Sequence, residues 1–222
     1  MSIRIVAVAD THLFTDDLES LPSGDILVHA GDLCRHGNLM ELAEAAEWLQ
    51  SLPYAHKVVV AGNHDWSFFR NPREARALLG DSVTYLEDSE ATILGVRFYG
   101  SPWQPAFGDW AFNLPRGKPL AEKWAKIPEG VDVLVTHGPP HRIGDRTRSS
   151  EREGCEDLAA RVRELRPLAH LFGHIHEDGG LWEREGTTYA NVTSWECERS
   201  PTVIDLDLVR RQVTPVVVPP AR

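Results

Sequence analysis

The chain has 222 residues, of which 42% are hydrophobic and 25% charged, and its formal net charge is −10. Such a length can bury a core without disulfides or a structural metal, and the balance is that of a globular protein rather than a disordered or fibrous one. An acidic surface argues against capture of long nucleic acid, which needs a basic stripe, and no apolar run reaches the roughly 20 residues of a membrane helix.

Near-continuous apolar runs mark the first three strands, Ile3–Ala9, Ile26–Ala30 and Lys57–Ala61. Between the second and third, Asn38–Ser51 places Leu39, Leu42, Ala46 and Leu49 on one helical face, with Asn38 as N-cap. Pro72–Leu79 reads as a helix with Pro at its first position and Gly80 as its stop. Ala91–Leu94, Val96–Tyr99 and Val131–Thr136 are the next strands, followed by a helix over Cys155–Leu165 that ends before Pro167. His170–Phe172, Thr187–Ala190 and Val203–Leu208 complete the set, and the prolines of Val213–Pro220 suit an edge strand. Alternating strands and helices in the first half predict an α/β fold, and the strand-rich remainder predicts a second or mixed sheet. No linker interrupts the chain, so residues 1–222 are expected to form a single domain. Asp10 interrupts the N-terminal apolar run without a small-residue cleavage pattern, so no signal peptide is expected. Cys34, Cys155 and Cys197 are far apart and odd in number, which predicts reduced thiols and a cytoplasmic setting.

Five clusters of Asp, Asn and His follow these strands, each at a strand end. After the first come Asp10 and His12, two apart, which extended backbone would project to the same side to grip one ion. Asp32 ends the second strand, where one carboxylate can bridge two cations. Gly62-Asn63-His64-Asp65 follows the third; its Gly permits a sharp turn that aims the Asn63 amide oxygen at an ion. His64 is then expected above the metals, with Asp65 holding its ring. His137 follows Val131–Thr136, and His174 and His176 follow His170–Phe172. No cluster alone holds enough donors, but together they supply two adjacent ions, a device for attacking phosphate esters. Mixed imidazole and carboxylate ligands suit Mn, Fe, Zn or Ni better than Mg or Ca. His29, His56, His141 and His170 read as structural or surface residues, whereas His36, in the loop after Asp32, is a candidate to approach substrate. Two further stretches read as working loops: Ser101–Pro115, which carries Trp103, Phe107, Trp110 and Phe112, and the polar His141–Gly154, which carries Arg142, Arg146 and Arg148.

The series Asp-x-His, Gly-Asp, Gly-Asn-His-Asp, Thr-His-Gly and Gly-His-x-His, spanning positions 10 to 176, resembles the calcineurin-like metallophosphoesterases. A narrower likeness joins it. Gly100-Ser101-Pro102-Trp103-Gln104-Pro105, Asp109-Trp110-Ala111-Phe112-Asn113, Thr136-His137-Gly138-Pro139-Pro140, Gly154-Cys155 and Gly173-His174-Ile175-His176-Glu177 are similar to the metallophosphoesterase-domain (MPPED) subgroup, whose described activity is phosphodiester hydrolysis. The resemblance implies a four-layer α/β/β/α sandwich of two mixed β-sheets flanked by helices. It implies one metal on Asp10, His12, Asp32 and His176, and a second on Asp32, Asn63, His137 and His174, with Asp32 bridging. Two divalent or trivalent ions are expected, manganese foremost, with iron, zinc or nickel as alternatives.

The expected reaction is hydrolysis of a small phosphodiester, such as a cyclic nucleotide, by a hydroxide bridging the two ions. By the same likeness, His64 steadies the developing charge or protonates the leaving alkoxide, and Asp65 orients and charges His64. A phosphomonoesterase is the alternative, with Arg142, Arg146 and Arg148 as candidate anion contacts. A non-catalytic binding scaffold is the reading from another class, and the intact ligand pattern speaks against it. The expected partner is a small phosphate ester rather than long nucleic acid or a membrane; the sequence leaves the oligomeric state open.

Overall fold

The computed structural model describes residues 2–18 and 21–220. The chain opens with β1 (Ser2–Val8), β2 (Ile26–His29), α1 (Leu39–Ser51), β3 (His56–Val59), α2 (Trp66–Arg70), α3 (Pro72–Leu79) and β4 (Thr84–Tyr85). The middle holds β5 (Ser89–Ile93), β6 (Val96–Ser101), a two-stranded ribbon of β7 (Gln104–Pro105) and β8 (Asn113–Leu114), α4 (Lys118–Trp124) and β9 (Val133–Thr136). It ends with α5 (Glu156–Leu165), β10 (Ala169–Phe172), β11 (Gly180–Arg184), β12 (Thr187–Asn191), β13 (Thr202–Asp207) and β14 (Gln212–Val217).

Two six-stranded sheets result, in the orders β14-β13-β1-β2-β3-β4 and β11-β12-β10-β9-β6-β5. Each has a parallel centre; antiparallel strands stand at one margin of the first sheet and at both margins of the second, so both are mixed. Side-chain alternation explains how they stack. Ile5 and Ala7 of β1 face a core between the sheets, where Val28 and Val58 meet Phe98, Val133, Val135 and Leu171 of the other sheet. Val6, Leu27 and Val59 face the opposite way and pack under Leu42, Ala46 and Leu49 of α1 and Leu79 of α3. On the far side, Tyr99 and Leu134 pack beneath Trp124 of α4 and Leu158 and Val162 of α5. The layers are therefore α/β/β/α, as expected, and strands buried on both faces account for the near-continuous apolar runs.

The expected helices form. Asn38 caps α1 by accepting from the Met40 and Glu41 N–H groups, although Leu39 turns to solvent and Ala45 takes its place on the buried face. α5 starts one residue later than its apolar spacing suggests, because Cys155 is its cap: the thiol sulfur accepts from the Leu158 N–H. β14 sits at the edge of the first sheet, where Pro215 is tolerated.

Candidate functional site

β1, β2 and β3 run parallel in one sheet, and β9 and β10 run parallel in the other. All five carboxyl ends open onto one edge of the sandwich, where α/β folds bind their ligands. Asp10, His12, Asp32, Asn63 and His64 arrive from the first sheet; His137, His174 and His176 arrive from the second. Three groups bring their ligand atoms within 4.8 Å of one another: Asp10 with His12 and His176, Asp32 with His137 and His174, and His12 with Asp32 and His64.

Asp32 joins the groups. Its Oδ2 lies 3.8 Å from His12 Nε2 and 3.4 Å from His137 Nε2, between the two halves of the cluster. Its Oδ1 accepts the His64 main-chain N–H at 2.8 Å. Asn63 presents its amide oxygen 2.9 Å from His137 Nε2. Asp10 is 3.7 Å from His176 Nε2, and its two oxygens accept the His174 main-chain N–H, a bond that crosses between the sheets.

The loops that carry these candidate ligands are not extended, contrary to the same-side argument from strand geometry. Asp10, His12, Asp32 and His174 all have positive φ, at 56°, 45°, 58° and 72°. His176 opens a short 3-10 turn, His176–Asp178. Asp10–His12 and His174–His176 therefore converge because the chain turns sharply left-handed at each strand tip. Such backbone is strained for non-glycine residues and concentrates at functional sites.

The donor set fits a dinuclear centre. Asp10 and Asp32 are 0% and 2% exposed, and no Lys or Arg pairs with either among the described residues. Two buried carboxylates require positive charge, and here only imidazoles face them. His12 and His137 each place Nδ1 at 3.0 Å from a main-chain carbonyl, of Cys34 and Ala30. A carbonyl only accepts, so Nδ1 carries a proton and Nε2 is the atom that would turn to a metal, giving up any proton it holds. Burial opposes charge on every group, yet His176 and His137 hold Asp10 well below the usual carboxylate range, and His137 does the same for Asp32. Burial likewise opposes protonation of His137, but Asp32 and Asp10 raise it to about 9. His174, buried beside charged His137, is pulled down to about 3 and stays a neutral donor.

Asp65 has a different task from the one expected. Rather than holding the His64 ring, its Oδ2 accepts the N–H groups of Asp32, Leu33 and Gly62, and its Oδ1 that of Cys34. It ties the β2 and β3 tips together. Burial and the neighbouring Asp32 charge push its pKa up to about 6, against the pull of these N–H bonds. The His64 ring is instead set by the Arg35 carbonyl, 2.6 Å from its Nδ1, which leaves Nε2 for other partners.

A cavity of 260 Å³ lies over the cluster, lined by Asp32, Asn63, His64, Phe107, Trp110, His174, His176 and Glu177. Trp110 lies against the His64 ring, with centroids 4.1 Å apart, and Phe107 sits 5.1 Å from His174. The aromatic loop thus reaches the site through Phe107 and Trp110 and not through Trp103. Trp103 donates to Asp88, carries the Lys123 ammonium 3.7 Å from its ring centroid, and packs on Phe69 and Phe112. Arg142, Arg146 and Arg148 are absent from the lining, and His36 is turned to Glu41, 3.2 Å away. Sequence reasoning gave no role to Glu177 or Trp195. Glu177 directly follows the last His; Trp195, 6.0 Å from His176, stands in the loop after β12 with no pattern to mark it.

This fold and edge-mounted Asp/His cluster define a metal-dependent phosphoester hydrolase. The chain belongs to the calcineurin-like phosphoesterase family, whose model matches residues 3–178. It is 42% identical, over a 236-residue alignment, to human metallophosphoesterase domain-containing protein 1, covering 93% of this chain and 72% of the relative. Among solved structures it resembles a Thermus thermophilus protein, with TM-score 0.65, 13% identity and coverage of 97% and 99% of the two chains. It also resembles a dimetal phosphatase from Danio rerio, with TM-score 0.55, 12% identity and coverage of 91% and 92%. At such identities the structural likenesses speak for the fold. No helix among the described residues is long and apolar enough to cross a membrane.

Proposed function

We propose that this protein hydrolyses small phosphodiesters, cyclic nucleotides among them, using two divalent ions held by Asp10, His12, Asp32, Asn63, His137, His174 and His176. The observation that carries the diester preference is the lining of the cavity. Among the described residues no Lys or Arg contributes to it, and Glu177 adds a carboxylate. A monoester dianion recruits cationic forks, which this lining does not offer; a diester carries a single negative charge and tolerates Glu177 better. Phe107 and Trp110 form an aromatic wall suited to a planar substituent such as a base.

Bound ions supply an activated water and positive charge around the phosphate. The residues of the chain do the rest. Asp32 fixes the spacing of the two half-sites through Oδ2 while its Oδ1 holds the His64 backbone. His64 Nδ1–H is anchored on the Arg35 carbonyl, so a proton on Nε2 is the one available to a leaving alkoxide. The Trp110 ring excludes water from one face of that imidazole. Manganese is the ion we favour, and buried free Cys34, Cys155 and Cys197 favour a reducing, cytoplasmic setting. We also read residues 1–222 as one domain, since both sheets contribute to one core and one site.

Turnover of an aryl phosphodiester and of the matching monoester, each with added Mn²⁺, tests the reading. The diester is expected to be the faster by at least about tenfold, a difference of about 1.4 kcal/mol in the barrier. A faster monoester would reverse the assignment.

A further inference from the structure

A second cavity, of 460 Å³, shares no lining residue with the first. It lies between the loop after β9, the outer face of α5 and the β11–β12 hairpin, and its volume is that of an ordinary small-molecule site. Three arginines from these three elements line it: Arg142, Arg163 and Arg184. Their guanidinium groups have no hydrogen bond or ion pair among the described residues, and they gather around one hollow although the chain as a whole is acidic. Three like charges left unpaired around one hollow repel one another, and an anion relieves that repulsion.

The backbone fixes where these three exposed side chains leave the chain. Arg142 has φ of 68°, a left-handed conformation unfavourable for its side chain. Buried Asp145 enforces it, accepting the Arg142 and Gly154 N–H groups and pairing with Arg152. Arg184 ends β11 at a two-residue turn, where Glu185 and Gly186 have φ of 53° and 84°. Arg163 projects from α5 two turns after its Cys155 cap. Tyr189 and Ile143, both buried, give the hollow an apolar floor. His141 adds a ring whose Nε2 is 3.9 Å from Glu156. Glu156 and Glu185 also line the cavity, so three cations face two carboxylates, and a ligand must reach the arginine forks to be held.

We propose that this cavity is a second ligand site, separate from the metal cluster, for a small organic molecule bearing two or more phosphate groups. Guanidinium forks match phosphate oxygens bidentately, and the Tyr189 floor accommodates the organic part. The site stands independently of the reaction proposed for the first cavity.

Inorganic pyrophosphate is the probe, titrated calorimetrically into the full chain after metal removal, so that bound ions cannot capture it. Arg163→Ala/Arg184→Ala should weaken binding at least about tenfold, since each lost charged hydrogen bond is worth that much or more. Arg163→Lys should fall between, keeping the charge but losing the fork. His174→Ala, in the other cavity, should bind as the parent does. Unfolding midpoints of the variants should match the parent, because neither guanidinium has a hydrogen bond or ion pair to lose among the described residues. Equal affinity of parent and double variant would overturn the proposal. So would an absence of measurable binding, or binding abolished by His174→Ala alone.

Discussion

At residue scale, His64 and Asp65 are neighbours in sequence with separate duties. Asp65 uses both oxygens on main-chain N–H groups from the β2 and β3 tips, while His64 takes its orientation from Arg35. His64→Ala is therefore expected to lower kcat by about 10²–10⁴-fold, the range of a lost general acid, with metal content unchanged. Elemental analysis beside the turnover assay checks this, and loss of metal would make His64 a ligand, as its place near His12 and Asp32 would allow. His170 shows a histidine put to structural use. Its Nε2 is 2.8 Å from Thr136 Oγ1, its Nδ1 is buried without a partner, and burial pulls its pKa down to about 3. The unfolded chain protonates it near pH 6.5 while the native chain does not, so stability is lost as pH falls from about 6.5 toward 3. At pH 5 the loss from this one group is about 2 kcal/mol. Denaturant titrations across that window should show a shallower pH slope for His170→Gln; an unchanged slope would mean that His170 titrates alike in both states.

At the scale of elements, the site depends on strand tips that turn at once. Gly31 has φ of 101°, and a Cβ there would stand 2.5 Å from His137 Nδ1. A Cβ on Gly62 would stand 2.2 Å from Asp32 Oδ1. Gly31→Ala is expected to cost about 2 kcal/mol or more and to displace His137, seen as a lower unfolding midpoint and reduced metal occupancy. A variant with parental metal content would show that the tip tolerates another path. These tips also explain what the sequence made legible. The five parallel strands announced themselves because apolar runs buried on both faces are continuous, and the ligands followed them. The geometry of convergence was not legible, since left-handed Asp10, His12, Asp32 and His174 have no sequence signature comparable to glycine. β4, β7 and β8 have two residues each and carry no periodicity, and α2 has five. The β11–β12 hairpin was hidden because Glu185, rather than Asn or Asp, opens its turn. Trp103 and Trp110 belong to one aromatic loop, and only their neighbours, Asp88 and Lys123 against His64, decide which one faces the site.

At the scale of the molecule, neither sheet holds the whole Asp/His cluster. The first brings Asp10, His12, Asp32 and Asn63, and the second brings His137, His174 and His176. Metal binding should therefore clamp the sandwich, so chelation lowers the unfolding midpoint as well as the activity. Asp32 Oδ2 faces both His12 and His137. The most direct measurement is the number of tightly bound Mn²⁺ ions per chain in the parent and in Asp32→Asn, taken with turnover of an aryl phosphodiester. Two ions and turnover in the parent, with both sites weakened and turnover lost in the variant, are expected. A parent that binds one ion, or an Asp32→Asn chain that retains two tight ions, would contradict the bridged dinuclear centre.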